Sequence, residues 1–197
     1  MAAETSVSWR DSLTEMERFP KPSADNSGTA VADIQWLADR EAIRNTIATY
    51  GHLFDEEHID MFLDLYTSDV ILQSSIPCFG NSEWFGKETL KEYNYATKGA
   101  ARSGVQYRHT MAMIHVMDQT KDSAVVRAQP ILGSTIRDGR TPTKVGRATY
   151  TFWMTKIGDS WKIKKQYIEM DGPIPGAAFH PKSKNVKFTP DNRPICK

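Results

Sequence analysis

Cysteine is scarce: Cys78 and Cys196 are the only two in 197 residues, too few for the disulfide framework on which small secreted domains rely. Apolar runs are short, and none approaches the roughly eighteen residues that a membrane-spanning helix requires. Charge of one sign is missing as well. The 25 basic and 24 acidic residues nearly cancel and are scattered along the chain, so no basic stripe exists to release counterions from a nucleic-acid backbone. Neither GxGxxG nor GxxxxGK occurs, which leaves nucleotide-dependent chemistry without a phosphate cradle. The N-terminus shows no charged segment followed by an apolar one, as a secretory leader would. These absences predict a globular protein of a reducing, cytoplasmic compartment, with neither membrane nor nucleic acid as partner.

What is present fits one domain. Hydrophobic residues make up 40% and charged residues 25% of the chain, and this length suits a single core between two layers. Residues 1–32 read as an arm, rich in small and polar residues around a stripe of Trp9, Leu13, Met16 and Phe19. Residues 172–197 read as an extended tail, because GPIPGAAFHPK and FTPDNRPICK carry too many prolines for regular ladders. The fold is expected from 33–171.

That middle zone opens with Asp33 as a candidate N-cap. A helix follows whose Ile43, Ile47, Tyr50 and Phe54 recur at the spacing of one buried face. A short helix is expected from about Ile59 to Tyr66 and another segment near Lys87 to Ala101. From about Val105 the period changes to two, with turn signals at Asp118–Asp122, Asp138–Arg140 and Gly158–Asp159, the pattern of antiparallel strands. Helices first and strands later predict an α+β fold.

Alternation assigns faces. Tyr107, His109, Met111 and Met113 share one side of the first long strand, away from Gln106, Arg108 and Thr110. Ala124, Val126, Ala128, Pro130 and Leu132 line the next, and Ala148, Tyr150, Phe152 and Met154 the one after. In the final strand Trp161 and Ile163 are out of phase with Ile168 and Met170, which calls for a β-bulge.

Two polar residues fall where a solvated position is awkward. Asp55 closes the first helix beside the buried stripe, with Gly51 one turn earlier leaving space, and His109 points to the core side of its strand. If helix and sheet pack as the periods require, the two can meet, the carboxylate fixing the imidazole tautomer and stabilising its protonated form. Each also has a structural alternative: Asp55 as a partner of the following EEH turn, His109 as a paired core histidine. His52, Asp55 and His58 step by three, whereas helical metal motifs use i, i+4 pairs, so no metal is expected. Cys78, in the loop-like SSIPCFGNSEWF, has no basic neighbour in sequence to make it a nucleophile. Glu169 and Asp171 with Arg127 and Arg147 suit a charged sheet face, though a bulge turning Glu169 inward would offer a second base.

The run LADREAIRNTIATYGHLFDEEHIDMFLDLYTSDVIL, the YRHTM strand and the closing WKIKKQYIEMDG resemble the SnoaL-like group of the nuclear transport factor 2-like superfamily. That resemblance implies a cone of strongly curved antiparallel sheet closed by N-terminal helices, homodimers or homotrimers, and members that include isomerases, dehydratases, cyclases and non-catalytic binders. Scytalone dehydratase is a distant relative in this group, and its catalytic Asp and His match Asp55 and His109. Its other site positions depart: Phe54 stands where it has a Tyr, and its second Tyr, second His and Asn fall near Ser74, Ser134 and Phe152. The resemblance therefore implies a more apolar pocket, lined by Tyr50, Phe54, Tyr107, Met111, Leu132, Ser134, Tyr150, Phe152 and Glu169.

Three functions follow as expectations. One is a cofactor-independent lyase, isomerase or cyclase acting on an apolar small molecule, a polyketide, terpenoid or alkaloid intermediate. Another is a binding module for such a molecule. The third is an assembly subunit of similar fold, as in aromatic-ring dioxygenases.

Overall fold

The structure, a computed structural model, describes residues 30–76, 80–91, 105–136 and 144–172. Trp9, Leu13, Met16, Phe19, both cysteines, the turn at 138–140 and nearly all of the arm and tail lie outside the described residues. Helix α1 spans Ala30–Asp55 and helix α2 Ile59–Asp64. Eight strands follow: β1 Tyr66–Ile76, β2 Gly80–Phe85, β3 Val105–Thr110, β4 His115–Gln119, β5 Ser123–Ala128, β6 Ile131–Ile136, β7 Lys144–Ile157 and β8 Ser160–Met170. They form one mixed sheet, open at its edges, with helices before it and on one face.

Helix α1 begins earlier than the sequence suggests. Asp33 lies inside it rather than at its cap, because the preceding Ala30-Val31-Ala32 run continues the helix with residues that oppose it little. Its stripe is the expected one: Ile43, Ile47, Tyr50 and Phe54 are all buried against the sheet. Helix α2 stops two residues short of Tyr66, which already opens β1. Strand β2 takes up NSEWF, which the sequence left as loop; the hairpin partner β1 supplies the ladder that a short, Gly-flanked segment lacks by itself.

Strands β3 and β4 on one side and β5 and β6 on the other form one long hairpin with a break in each arm. Strand β3 pairs β6, β4 pairs β5, and Gln129 donates its N–H to the Ala112 carbonyl between the two ladders, at 3.0 Å. The expected long strand through Met113 is therefore interrupted. Met113 takes a left-handed φ of 49° and is 74% exposed, so it leaves the inward face its parity assigned. Pro130, which cannot donate to a ladder, marks the break in the other arm and is buried. The broken hairpin joins β7 on one edge, β5 through residues 150–155 and β6 through 144–147.

On its other edge β7 pairs β8 from Ala148 to Ile157, and β8 pairs β1 in parallel. The expected bulge is present: Trp153 faces Lys165 but Met154 faces Ile163, so Lys164 is the extra residue. It brings Trp161 and Ile163 and, beyond it, Gln166, Ile168 and Met170 all into the interior. The core thus lies between α1, α2 and the inner face of the sheet, with Tyr50, Phe54, Phe62, Tyr66, Tyr150 and Phe152 as its aromatic centre.

Candidate active site

At the last turn of α1 the helix meets β3. A side chain at Gly51 has no room: its Cβ would lie 2.6 Å from the His109 carbonyl oxygen and 3.0 Å from Met111 Cγ. The sequence reading of open space beside Gly51 is therefore corrected. The missing side chain is what lets the strand backbone approach the helix.

One turn on, Asp55 reaches the same strand. Its Oδ1 lies 2.6 Å from His109 Nδ1, and its Oδ2 accepts the His109 backbone N–H at 2.5 Å. Both side chains are largely buried, with 10% of the His109 and 6% of the Asp55 side chain exposed. Gln106 donates to the Asp55 carbonyl, satisfying one of the backbone acceptors that a helix C-terminus leaves open, at 3.2 Å. A carboxylate accepts and cannot donate, so His109 Nδ1 carries a proton toward Asp55, and Nε2 holds the lone pair of the neutral ring. The ring edge packs on Phe54, centroids 4.7 Å apart, and on Tyr50 at 6.2 Å.

Register places the other candidates. Leu132 is opposite His109 and Ser134 opposite Tyr107, so these four share the inner face of the β3–β6 ladder. Tyr150 and Phe152 are buried on the continuous inner face of β7, each in edge contact with Tyr50. Met111, half-buried, packs against the core. Burial raises the Tyr107 phenol above its usual 10.0, which keeps it a hydrogen-bond donor at neutral pH. Glu169 is the exception. It pairs with Thr149 and Ser75, out of phase with Ile168 and Met170. The bulge that turns those two inward carries Glu169 to the outer face, away from His109. His52 is exposed and His58 faces Glu56 at the surface, at 3.7 Å, so neither joins Asp55. Among the described residues no group of three His, Cys, Asp or Glu side chains is arranged to hold a metal.

Two polar features escaped the sequence reading. Gln166, fully buried, links the hydroxyls of Tyr66 and Tyr50; its parity with Ile168 and Met170 was a usable signal once the bulge was granted. The other is Asp39 on α1, which binds Lys156 Nζ at 2.7 Å and Trp161 Nε1 at 3.1 Å. Burial by itself would raise the Asp39 carboxyl, but the Lys156 ammonium and the indole N–H more than offset this and hold it below 3.8. A carboxylate with a folded-state value below its unfolded one stabilises the fold above the unfolded value, and that contribution is lost as pH falls through the folded value. Asp39→Asn is thus expected to cost about 3 kcal/mol at pH 7, since it leaves a largely buried ammonium without its counter-charge. In urea titrations at stepped pH, the gap between wild type and variant should close below about pH 4, the ordinary carboxylate range.

A family model of the SnoaL-like domain matches residues 35–166, two thirds of the chain and all the elements that form this site. The chain belongs to the SnoaL-like domain family. Among solved structures, this SnoaL-like domain resembles an NTF2-like protein with a cystatin-like fold from Novosphingobium aromaticivorans, at 18% identity and a TM-score of 0.63, over 76% of this chain and 94% of that one. A protein from the same organism proposed to be a scytalone dehydratase matches at 18% identity and a TM-score of 0.57, over 68% and 85%. A proposed aromatic-ring-hydroxylating dioxygenase beta subunit, also from that organism, matches at 16% and 0.59, over 75% and 98%. At these identities the likeness is one of fold. No curated protein matches the sequence significantly. The SnoaL-like domain is a small-molecule-binding fold, and among the described residues no helix is long and apolar enough to cross a membrane.

Proposed function

We propose that this SnoaL-like protein catalyses a cofactor-independent proton transfer on an apolar small molecule, as an isomerase, dehydratase or cyclase of a secondary-metabolite intermediate. The supporting observation is the 2.6 Å contact between Asp55 and His109 Nδ1 on an inner face lined mainly by aromatic and aliphatic side chains. His109 Nε2 removes a proton next to a carbonyl or imine, and Asp55 holds the imidazolium that forms. The proton returns at another carbon, or leaves with a hydroxide as water. The Tyr107 phenol, on the same face, is a donor for a polar group of the substrate. A well-oriented base of this kind contributes about 10²- to 10⁴-fold in rate.

Proton abstraction can be read without knowing the natural substrate. A panel of bicyclic and aromatic ketones incubated with the protein in D₂O is expected to yield at least one that exchanges its α-hydrogens faster than in buffer, seen by NMR. The same ketone should exchange at the buffer rate with His109→Ala. Ketones that bind without exchanging would point instead to the binding module. Light scattering is expected to give a homodimer or homotrimer; a monomer that associates only with a larger partner would favour the assembly subunit, the role proposed for the dioxygenase beta subunit of similar fold.

A further inference from the structure

The β3–β6 ladder sets two rungs on the inner face, His109 opposite Leu132 and then Tyr107 opposite Ser134. The first rung places a base beside a buried aliphatic side chain. The second has a hydroxyl on each strand. Tyr107 and Ser134 are both half-buried, yet among the described residues neither hydroxyl has a hydrogen-bond partner, and neither oxygen is sealed from solvent. They differ in this from the buried hydroxyls of Tyr50 and Tyr66, which Gln166 engages. Fold stability gives no reason for such a rung, since a half-buried hydroxyl that bonds to nothing in the protein contributes less than an apolar group packed in its place. A ligand gives one.

The spacing suits the chemistry at His109. Two residues along a strand cover about 6.5–7 Å. An α-carbon and its carbonyl oxygen lie two bonds apart, and with a contact of about 3 Å from the base at one end and from a donor at the other they fill that interval. The number of donors then narrows the acceptor. A carbonyl oxygen has two lone pairs and accepts from both hydroxyls, whereas an imine nitrogen has one and leaves a hydroxyl unsatisfied. Burial holds the Tyr107 phenol above its usual 10.0, so it is protonated and able to donate at neutral pH.

We propose that Tyr107 and Ser134 together hold the carbonyl oxygen of the substrate while His109 removes the α-proton, which makes the substrate an enolisable ketone or aldehyde rather than an imine. The inference rests on the proton-transfer reading above. As His109 Nε2 takes the proton, the C–H bonding pair becomes the new carbon–carbon π bond and the carbonyl π pair moves to oxygen, where the two O–H groups meet the charge. Reprotonation at another carbon restores the carbonyl, and nothing is oxidised or reduced.

The test uses two ligands of one shape, 2-acetylnaphthalene and 2-isopropenylnaphthalene, which differ by a carbonyl oxygen against a methylene. Affinities for wild type, Tyr107→Phe, Ser134→Ala and the double variant are measured by fluorescence titration, with a thermal melt for each. Wild type is expected to prefer the ketone by about thirtyfold, the worth of two ordinary hydrogen bonds, each single variant by about fivefold, and the double variant not at all. Melting should not change, because neither hydroxyl bonds within the protein. For the ketone of the D₂O panel that exchanges, the rate at saturation should fall about 10²-fold in Tyr107→Phe, since the bond strengthens as charge develops on oxygen. A ratio unchanged in the double variant, with both ligands bound, overturns the assignment and leaves the His109–Asp55 reading standing if wild type still exchanges. A ratio that falls while exchange at saturation does not puts the pair on an oxygen remote from the reacting carbon, which also overturns it. So do variants that melt earlier and lose both ligands in equal proportion, as a structural role requires. If no panel ketone exchanges, or wild type binds neither ligand, the reading beneath the assignment fails and the assignment with it.

Discussion

Asp55→Asn is expected to lower turnover by about 10⁴-fold with the fold retained, an effect of the size seen when an orienting carboxylate of a catalytic histidine becomes an amide. The cause is a count of acceptors. His109 presents two donors to Asp55, its backbone N–H at 2.5 Å and its ring Nδ1–H at 2.6 Å, and the carboxylate accepts both. An amide has one acceptor oxygen and one donor nitrogen. If its oxygen keeps the backbone N–H, its nitrogen faces Nδ1 and the ring must carry its proton on Nε2, the atom needed as base. If it turns over, the backbone N–H loses its partner at a cost of about 1–3 kcal/mol. Asp55→Asn should therefore lower kcat far more than it changes ligand affinity, and the ¹⁵N shifts of the His109 ring should report a change of tautomer. His109→Ala should be as severe. Retained turnover in both variants would remove the dyad from the mechanism.

The second large effect concerns a residue with no side chain. Gly51→Ala should destabilise the protein although alanine favours helix over glycine by about 1 kcal/mol. The added Cβ would meet the His109 carbonyl oxygen at 2.6 Å, a backbone atom that cannot turn aside. Overpacking of this kind costs about 1–3 kcal/mol, and here α1 must retreat from β3. The same retreat separates Asp55 from His109, so activity should fall with stability rather than independently of it. A melting temperature lower by up to about 8 °C, taking the overpacking cost less the helix gain as about 0–2 kcal/mol net for a domain of this size, is the expected reading. A rise instead would show that helix propensity decides and that the strand has room to move.

Much of this architecture was legible because its periods are simple. The stripe of Ile43, Ile47, Tyr50 and Phe54 and the alternation through Ala148, Tyr150, Phe152 and Met154 report burial on one side of an element, and each of these residues is buried. The mismatch between Ile163 and Ile168 called for a bulge, which stands at Lys164. What periodicity does not carry is where a strand breaks. Met113 and Pro130 lie on runs whose parity continues across the interruption, so the two breaks left no mark on the pattern. Strand β2 is held by its pairing with β1, a long-range ladder that a short segment does not announce. Asp55 and His109 were recognisable as candidates, but their contact depends on the close approach of α1 to β3 at Gly51, for which a single glycine in a helix is an ambiguous sign. Gln166 was hidden among charged neighbours in KKQYIEM, where polarity suggests solvent and only its phase with Ile168 and Met170 says otherwise.

The place of β8 in the sheet governs the order of assembly. It is the last of the described strands in the chain, yet it lies between β1 and β7, and among the described strands the β1–β2 hairpin joins the rest only through it. A ribosome releasing this chain therefore exposes a helix and a hairpin, each with an apolar side, well before the strand that unites them has been synthesised. Pairings so distant in sequence close slowly, and the waiting segments are natural clients for a chaperone. Ending translation before Met170 should yield a product that aggregates rather than a smaller working domain.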